Sequence, residues 1–275
     1  MRDYVTIQKQ MKISRERLSL PPALRLFSLE GKTALITGAG TGLGREMAVG
    51  LAMAGAEVML TGRRLEPLKK LAQELEGFPV AYSTADVSVT EEVKALVGAT
   101  IEKFGKIDVL INNAGTTHRK PIIEFEEEEY DRVIQVNMRS CFLCTKYVGI
   151  EMVKAGKGGS IINIGSGAGR NGLKHSIAYC GSKGGMVMLT RAAAIEWTEY
   201  NIRVNIIMPG TFKTGLLHKC AEEDPQYIEK IIQFHPLGRF GEPEEIVGAC
   251  IYLASDNSAF MTGNVMFIDG GGNAR

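Results

Sequence analysis

The chain has 275 residues, a formal net charge of +1 and 45% hydrophobic residues, enough to bury one large core. No window reaches the roughly 18 consecutive apolar residues of a membrane span, and the near-neutral balance leaves no electrostatic footprint for nucleic acid, so neither partner is expected. Five cysteines form a sparse, odd set, unlike the disulfide frameworks of small secreted domains, and fit a cytoplasmic protein.

Residues 1–27 carry six basic and two acidic residues and follow neither helical nor strand periodicity. They read as an N-terminal extension, either a surface arm or the product of a start upstream of Met11. Asp3, Glu16 and the lack of an apolar h-region speak against a targeting peptide. Residues 28–275 read as one domain. Short apolar runs alternate with amphipathic stretches: TALIT, then a helix over 42–54; EVMLT, then 65–75; PVAYS, then 89–104; DVLIN, then 126–155. The series continues with SIINI, a helix over 177–200, RVNIIM, a polar stretch, a helix over 242–254, and VMFID. Strands that read as continuous Val/Ile/Leu runs and alternate with helices predict an α/β fold, a single doubly wound parallel sheet of the Rossmann type with helices on both faces.

The acidic run Glu124–Arg132 is expected to open a helix and face water, since carboxylates complement the positive end of the helix dipole. Cys141 and Cys144 form a C-x-x-C inside a helical pattern with no second pair, so they are expected to be small core or interface residues, and no metal site is expected.

After the first strand comes TGAGTGLGRE, 37–46. Its glycines at 38, 42 and 44 suit a strand that turns sharply into a helix, where backbone amides meet a pyrophosphate; packing alone is the alternative reading. The second strand ends in Gly62 where a dinucleotide fold usually places an acid for the ribose, and Arg63 and Arg64 follow. Guanidinium groups without a carboxylate suit a 2′-phosphate, so NADP is the expected cofactor with NAD as the alternative; solvated arginines at a helix start are the bland reading. At the ends of the third and fourth strands, Asp86 is placed to meet the adenine amino group, and Asn112 or Asn113 to secure neighbouring loops. Ser166 follows the fifth strand, and Tyr179 and Lys183 stand four apart on the next helix, which puts phenol and ammonium on one face.

The elements TGxxxGxG, NNAG, Ser166, YxxxK and Pro209-Gly210, in this order, resemble the short-chain dehydrogenase/reductase family from about residue 28 to the end. The resemblance implies Tyr179 as general acid/base, Lys183 as its activator and ribose ligand, Ser166 as the carbonyl-orienting hydroxyl, and Asn137 as the site of a proton-relay water. It implies cofactor contacts from Gly38, Thr41, Gly42, Leu43, Gly44, Arg63, Arg64, Asp86, Val87, Asn113, Ala114 and Gly115, and from Tyr179, Lys183, Pro209, Gly210, Phe212 and Thr214. The reaction implied is interconversion of a secondary alcohol and a ketone by hydride transfer.

The chain start FSLEGK and the loop GTTHRKP look most similar to the gluconate 5-dehydrogenase and 2-deoxygluconate 3-dehydrogenase branch, which implies a sugar acid or related polyol as substrate. Arg119 matches one of an arginine pair in that branch's loop and His118 departs from the other; an arginine there would clamp a carboxylate. The rival substrate is a 3-oxoacyl thioester on a carrier protein, and the rival class is a non-catalytic NADP-binding sensor or scaffold. Residues 211–236 correspond to a segment that closes over substrate in the family, whereas His175, His218 and His235 read as structural or exposed. A homotetramer is expected from apolar helix faces that include Phe142, Met186, Ala193 and Trp197.

Overall fold

The structure, a computed structural model, describes residues 22–215, 217, 222 and 226–274. Most of the expected N-terminal arm, and His218, lie outside the described residues; the arm's last part holds a short helix, α1 (Pro22–Arg25).

The apolar runs become β1 (Thr33–Thr37), β2 (Glu57–Gly62), β3 (Val80–Thr84), β4 (Val109–Asn112), β5 (Gly159–Ile164), β6 (Ile202–Pro209) and β7 (Val265–Ile268). They form one sheet of order β3-β2-β1-β4-β5-β6-β7 with every pairing parallel. Between them run α2 (Gly42–Met53), α3 (Leu65–Glu74), α4 (Thr90–Phe104), α5 (Glu127–Ile134), α6 (Ser140–Ala155), α7 (Ile177–Glu196), α8 (Tyr227–Ile232) and α9 (Val247–Ala254).

Both faces of the sheet are covered over its centre, which is why β1, β2, β4 and β5 lack polar alternation, whereas β3 at the edge is half exposed. In β1, Ala34 and Ile36 join one buried cluster with Met47 and Leu51 of α2, Leu68 of α3 and Leu253 of α9. Leu35 points the other way, into a cluster with Val93 and Leu96 of α4 and Leu143 and Val148 of α6. The chain order reverses between β1 and β4, and at such a switch point an open α/β sheet forms its ligand crevice.

Two expectations change. The helix expected over 126–155 is interrupted by a π turn at Gln135–Arg139. The inward and outward faces of α7 also differ from the expectation: Met186 is buried, and Ala193 and Trp197 pack against the core. The outward apolar residues are Phe142 and Ile150 on α6 and Ile177, Met188 and Ile195 on α7. Among the described residues no helix is long and apolar enough to cross a membrane, and no group of His, Cys, Asp and Glu is arranged to hold a metal. Cys141 and Cys144 are buried, and burial pushes the Cys141 thiol up to about 12, which leaves it an inert core residue.

Candidate active site

At the end of β1 the chain reverses through Gly38 and Gly42, both with positive φ (65° and 58°), and enters α2. A Cβ on Gly44 would sit 2.2 Å from the Gly38 carbonyl and 2.4 Å from Asn113 Nδ2, so only a residue without a side chain lets turn and helix close this tightly. The buried Thr37 hydroxyl accepts the amides of Asn113 (2.9 Å) and Ala114 (3.0 Å) and donates to the Ile111 carbonyl (3.3 Å). Asn113 Nδ2 donates back to the Thr37 and Gly38 carbonyls (2.9 and 3.1 Å). Asn113 is therefore the residue that secures the neighbouring loop. Asn112 turns the other way, to Thr145 Oγ1 (3.0 Å) and Asn163 Oδ1 (2.9 Å). Thr41 precedes α2 in extended conformation and makes no side-chain cap, so the first amides of the helix remain available to an anion. A glycine-rich turn against an uncapped helix N-terminus fits a dinucleotide pyrophosphate. Leu43 follows in the first turn of α2, and Thr214 lies across the loop, 3.6 Å from where a Gly42 Cβ would stand.

Beside this turn, β2 ends at Gly62, with Arg63 and Arg64 exposed and Arg64 at the N-cap of α3. Burial pushes the Asp86 carboxyl up, but hydrogen bonds from Ser88 Oγ (2.6 Å) and the Ser88 amide (3.0 Å), with the positive charge of Arg63, hold it below its ordinary value. Asp86 and Arg63 thus face a common corner at the ends of β2 and β3. Val87 is buried behind it, and Arg139 Nε donates to the Ser88 carbonyl (3.2 Å) from the π turn.

On α7, Tyr179 and Lys183 stand one turn apart. Lys183 is 4% exposed, with Nζ 5.8 Å from the Tyr179 ring centroid and 2.8 Å from the Ile164 carbonyl that accepts its hydrogen bond. Burial pulls this ammonium down to about 8, against a smaller opposing effect from Cys141. Ser166, beyond β5, is extended and caps a short turn at Gly167–Gly169, its Oγ accepting the Ala168 amide at 3.2 Å. That turn packs on α7: a Cβ on Gly169 would meet the Lys183 carbonyl at 2.7 Å.

Asn137 is fully buried in the π turn. Its Oδ1 accepts the Thr116 amide (2.7 Å), and its Nδ2 donates to the Thr116 carbonyl and Ser182 Oγ (both 2.9 Å). Ser182 Oγ in turn donates to the Tyr179 carbonyl (2.8 Å). The Asn137 amide is therefore a brace between the loop after β4 and α7, and a π turn also takes backbone out of the regular helical ladder, where a water can bind. Gly115 lies against the same group: a Cβ there would be 3.3 Å from Asn137 Oδ1 and 3.7 Å from Lys183 Nζ.

The structure also places the outlying candidates. Pro209 ends β6, Gly210 follows it, and the next amide, Thr211, donates to His235 Nε2 (2.9 Å). Phe212 is buried and bridges to Gly241. His118 pairs with Glu129 on α5 (3.0 Å) and meets the Phe125 ring edge-on, while Lys120 holds the same carboxylate (3.1 Å). His118 thus ties its loop to α5, and Arg119 is exposed. Sequence reasoning missed the brace residues Thr37 and Ser182, whose only signal was their place inside the TG and YxxxK motifs.

A protein-family profile described as enoyl-(acyl carrier protein) reductase matches residues 38–273. The chain is 39% identical over 245 residues to a 3-oxoacyl-[acyl-carrier-protein] reductase of Thermotoga maritima, covering 88% of this chain and 98% of the relative. It is 39% identical over 250 residues to a 5-keto-D-gluconate 5-reductase of Escherichia coli (strain K12), covering 90% and 97%. Among solved structures it resembles a gluconate 5-dehydrogenase from Burkholderia cenocepacia J2315 in complex with NADP and tartrate, with a TM-score of 0.87, 35% identity, and coverage of 92% and 99%.

Proposed function

The chain belongs to the short-chain dehydrogenase/reductase family and is an NAD(P)-dependent oxidoreductase acting on CH–OH groups; from that premise we propose that it interconverts a keto and a hydroxy sugar acid with NADP. The observation that carries the reading is the buried Lys183 ammonium beside the Tyr179 ring, at the strand edge that also holds Ser166 and the glycine turn.

When bound, the nicotinamide supplies or accepts the hydride. Tyr179 gives its hydroxyl proton to the carbonyl oxygen in reduction and takes it back in oxidation. A phenol with a pKa near the ordinary value of about 10 is a weak base at neutrality, and the adjacent Lys183 ammonium favours the phenolate. Ser166 accepts the Ala168 amide, which leaves its own proton to be donated to the oxygen where charge develops. Asn137 and Ser182 hold the start of α7 against the loop after β4, which keeps Tyr179 in register with Gly115 and the cofactor. Gly38, Thr41, Gly42, Leu43 and Gly44 would receive the pyrophosphate, Arg63 and Arg64 the 2′-phosphate, and Asp86 and Val87 the adenine. Asn113, Ala114, Gly115, Pro209, Gly210, Phe212 and Thr214 would line the rest of the path.

A sugar-acid substrate agrees with the similarity to the Escherichia coli reductase and the Burkholderia enzyme, and Arg119 on the loop after β4 is the cation for its carboxylate. A 3-oxoacyl thioester is the second reading, on the equal identity to the Thermotoga reductase. A panel of keto sugar acids and 3-oxoacyl thioesters, each with NADPH and NADH and followed at the nicotinamide absorbance, separates the two. Turnover of thioesters alone would overturn the sugar-acid reading. The protein acts in the cytoplasm as a homotetramer, in which Phe142, Ile150, Met188 and Ile195 meet a second copy. Light scattering that gave a monomer at micromolar concentration would contradict this.

A further inference from the structure

Ser166 stands at the head of a loop that ought to be loose: four of the eight residues from 165 to 172 are glycine, which costs the most chain entropy to fix. The loop is tied down from outside by the segment after β7. There the Asp269 carboxylate accepts the Gly271 amide (3.0 Å), the Asn273 amide (2.8 Å) and Asn273 Nδ2 (2.8 Å), and so curls the chain into a tight turn. Asn273 is 9% exposed and faces the serine loop: its Oδ1 accepts from Asn171 Nδ2 (2.7 Å) and its carbonyl accepts from Arg170 Nη1 (2.9 Å). Inside the loop, the Gly169 amide returns to the Ser166 carbonyl (2.8 Å) and the Asn171 amide to the Gly167 carbonyl (3.1 Å). The chain of bonds from Asp269 to the Ser166 backbone is continuous.

We propose that Asp269 and Asn273 clamp the loop after β5, and that Asn273 is a positioning residue that sets the Ser166 hydroxyl toward the reacting carbonyl. The clamp rests on the reading of Ser166 given above. Its strength is that a hydroxyl displaced by a fraction of an ångström no longer lies where charge develops, while the pyrophosphate turn at β1 is untouched.

The test uses Asn273→Ala and Asn171→Ala, which break the same bond from its two sides. Each should lower kcat about tenfold and leave KM for the carbonyl substrate and Kd for NADPH within about twofold. On a Ser166→Ala background, measured by single turnover at high enzyme concentration, neither change should lower the rate further, because both act through the missing hydroxyl. Hydrogen-exchange mass spectrometry on the full chain should show peptides over 166–171 exchanging at least about tenfold faster in both variants, with the β1 and β4 peptides unchanged. Unchanged exchange in the loop overturns the clamp. An equal loss of rate with and without the Ser166 hydroxyl overturns the assignment of Asn273 to that hydroxyl. Full turnover by Ser166→Ala alone would instead overturn the role of Ser166, and the exchange result distinguishes the two.

Discussion

Lys183→Met keeps most of the unbranched side chain and removes a buried ammonium, so the pH dependence of its effect reports the cost of that charge. Lys183 has an ordinary pKa of 10.5 and is held at about 8, chiefly by burial, with no ion pair to it among the described residues. Each decade of proton affinity is about 1.4 kcal/mol, so the gap corresponds to about 3 kcal/mol. The folded-state pKa lies below the unfolded one, so between the two values the unfolded chain binds more protons and stability rises with pH. This contribution is fully present above pH 10.5, and it is lost as pH falls toward about 8. The variant loses the bond to the Ile164 carbonyl, a pH-independent cost of about 1–2 kcal/mol, but not the slope. Urea unfolding of the cofactor-free protein, followed by Trp197 fluorescence at fixed concentration, should show wild type gaining on the variant by about 3 kcal/mol from pH 8 to 10.5. Trp197 is the single tryptophan and packs on Gly149 of α6, so it reports the loss of this contact. A difference that stays flat across the window would show that the ammonium is not held at the cost its burial implies.

Gly44→Ala should weaken NADPH binding by at least about tenfold, since its Cβ would stand 2.2 Å from the Gly38 carbonyl and force the turn open; isothermal titration checks it. The Gly62→Asp, Arg63→Ala double change should swing preference toward NAD by on the order of 3 kcal/mol, roughly a hundredfold in relative kcat/KM, because a guanidinium is lost and a carboxylate faces the phosphate. An unchanged ratio on one substrate would show that neither position reads the ribose. Thr37→Val should destabilise the fold by about 2–4 kcal/mol, since it strands the Asn113 and Ala114 amides that Thr37 Oγ1 now accepts; thermal unfolding measures it.

The central strands were legible because a sheet buried on both faces leaves an unbroken apolar run, and every strand came within a residue of its expected bounds. The glycine turn and the Tyr179–Lys183 pair were legible because each is set by local spacing. What stayed hidden depends on partners distant in sequence. Nothing between Gln135 and Arg139 signals an extra residue in the helix, and adjacent Asn112 and Asn113 gave no hint that one faces α6 and the other the glycine turn. Helical period found apolar residues on α7 but not which face meets the sheet, so Met186 and Trp197 read as outward when they pack inward. The pairing of His118 was hidden in the same way, because its partner, Glu129, lies on the next helix.

The proposed chemistry depends on Tyr179 as the proton donor. With the substrate that wild type turns over best and NADPH at saturation, Tyr179→Phe should lower kcat by about a thousandfold while the Kd for NADPH changes less than about threefold. Turnover by Tyr179→Phe within a few-fold of wild type would contradict the proposed chemistry.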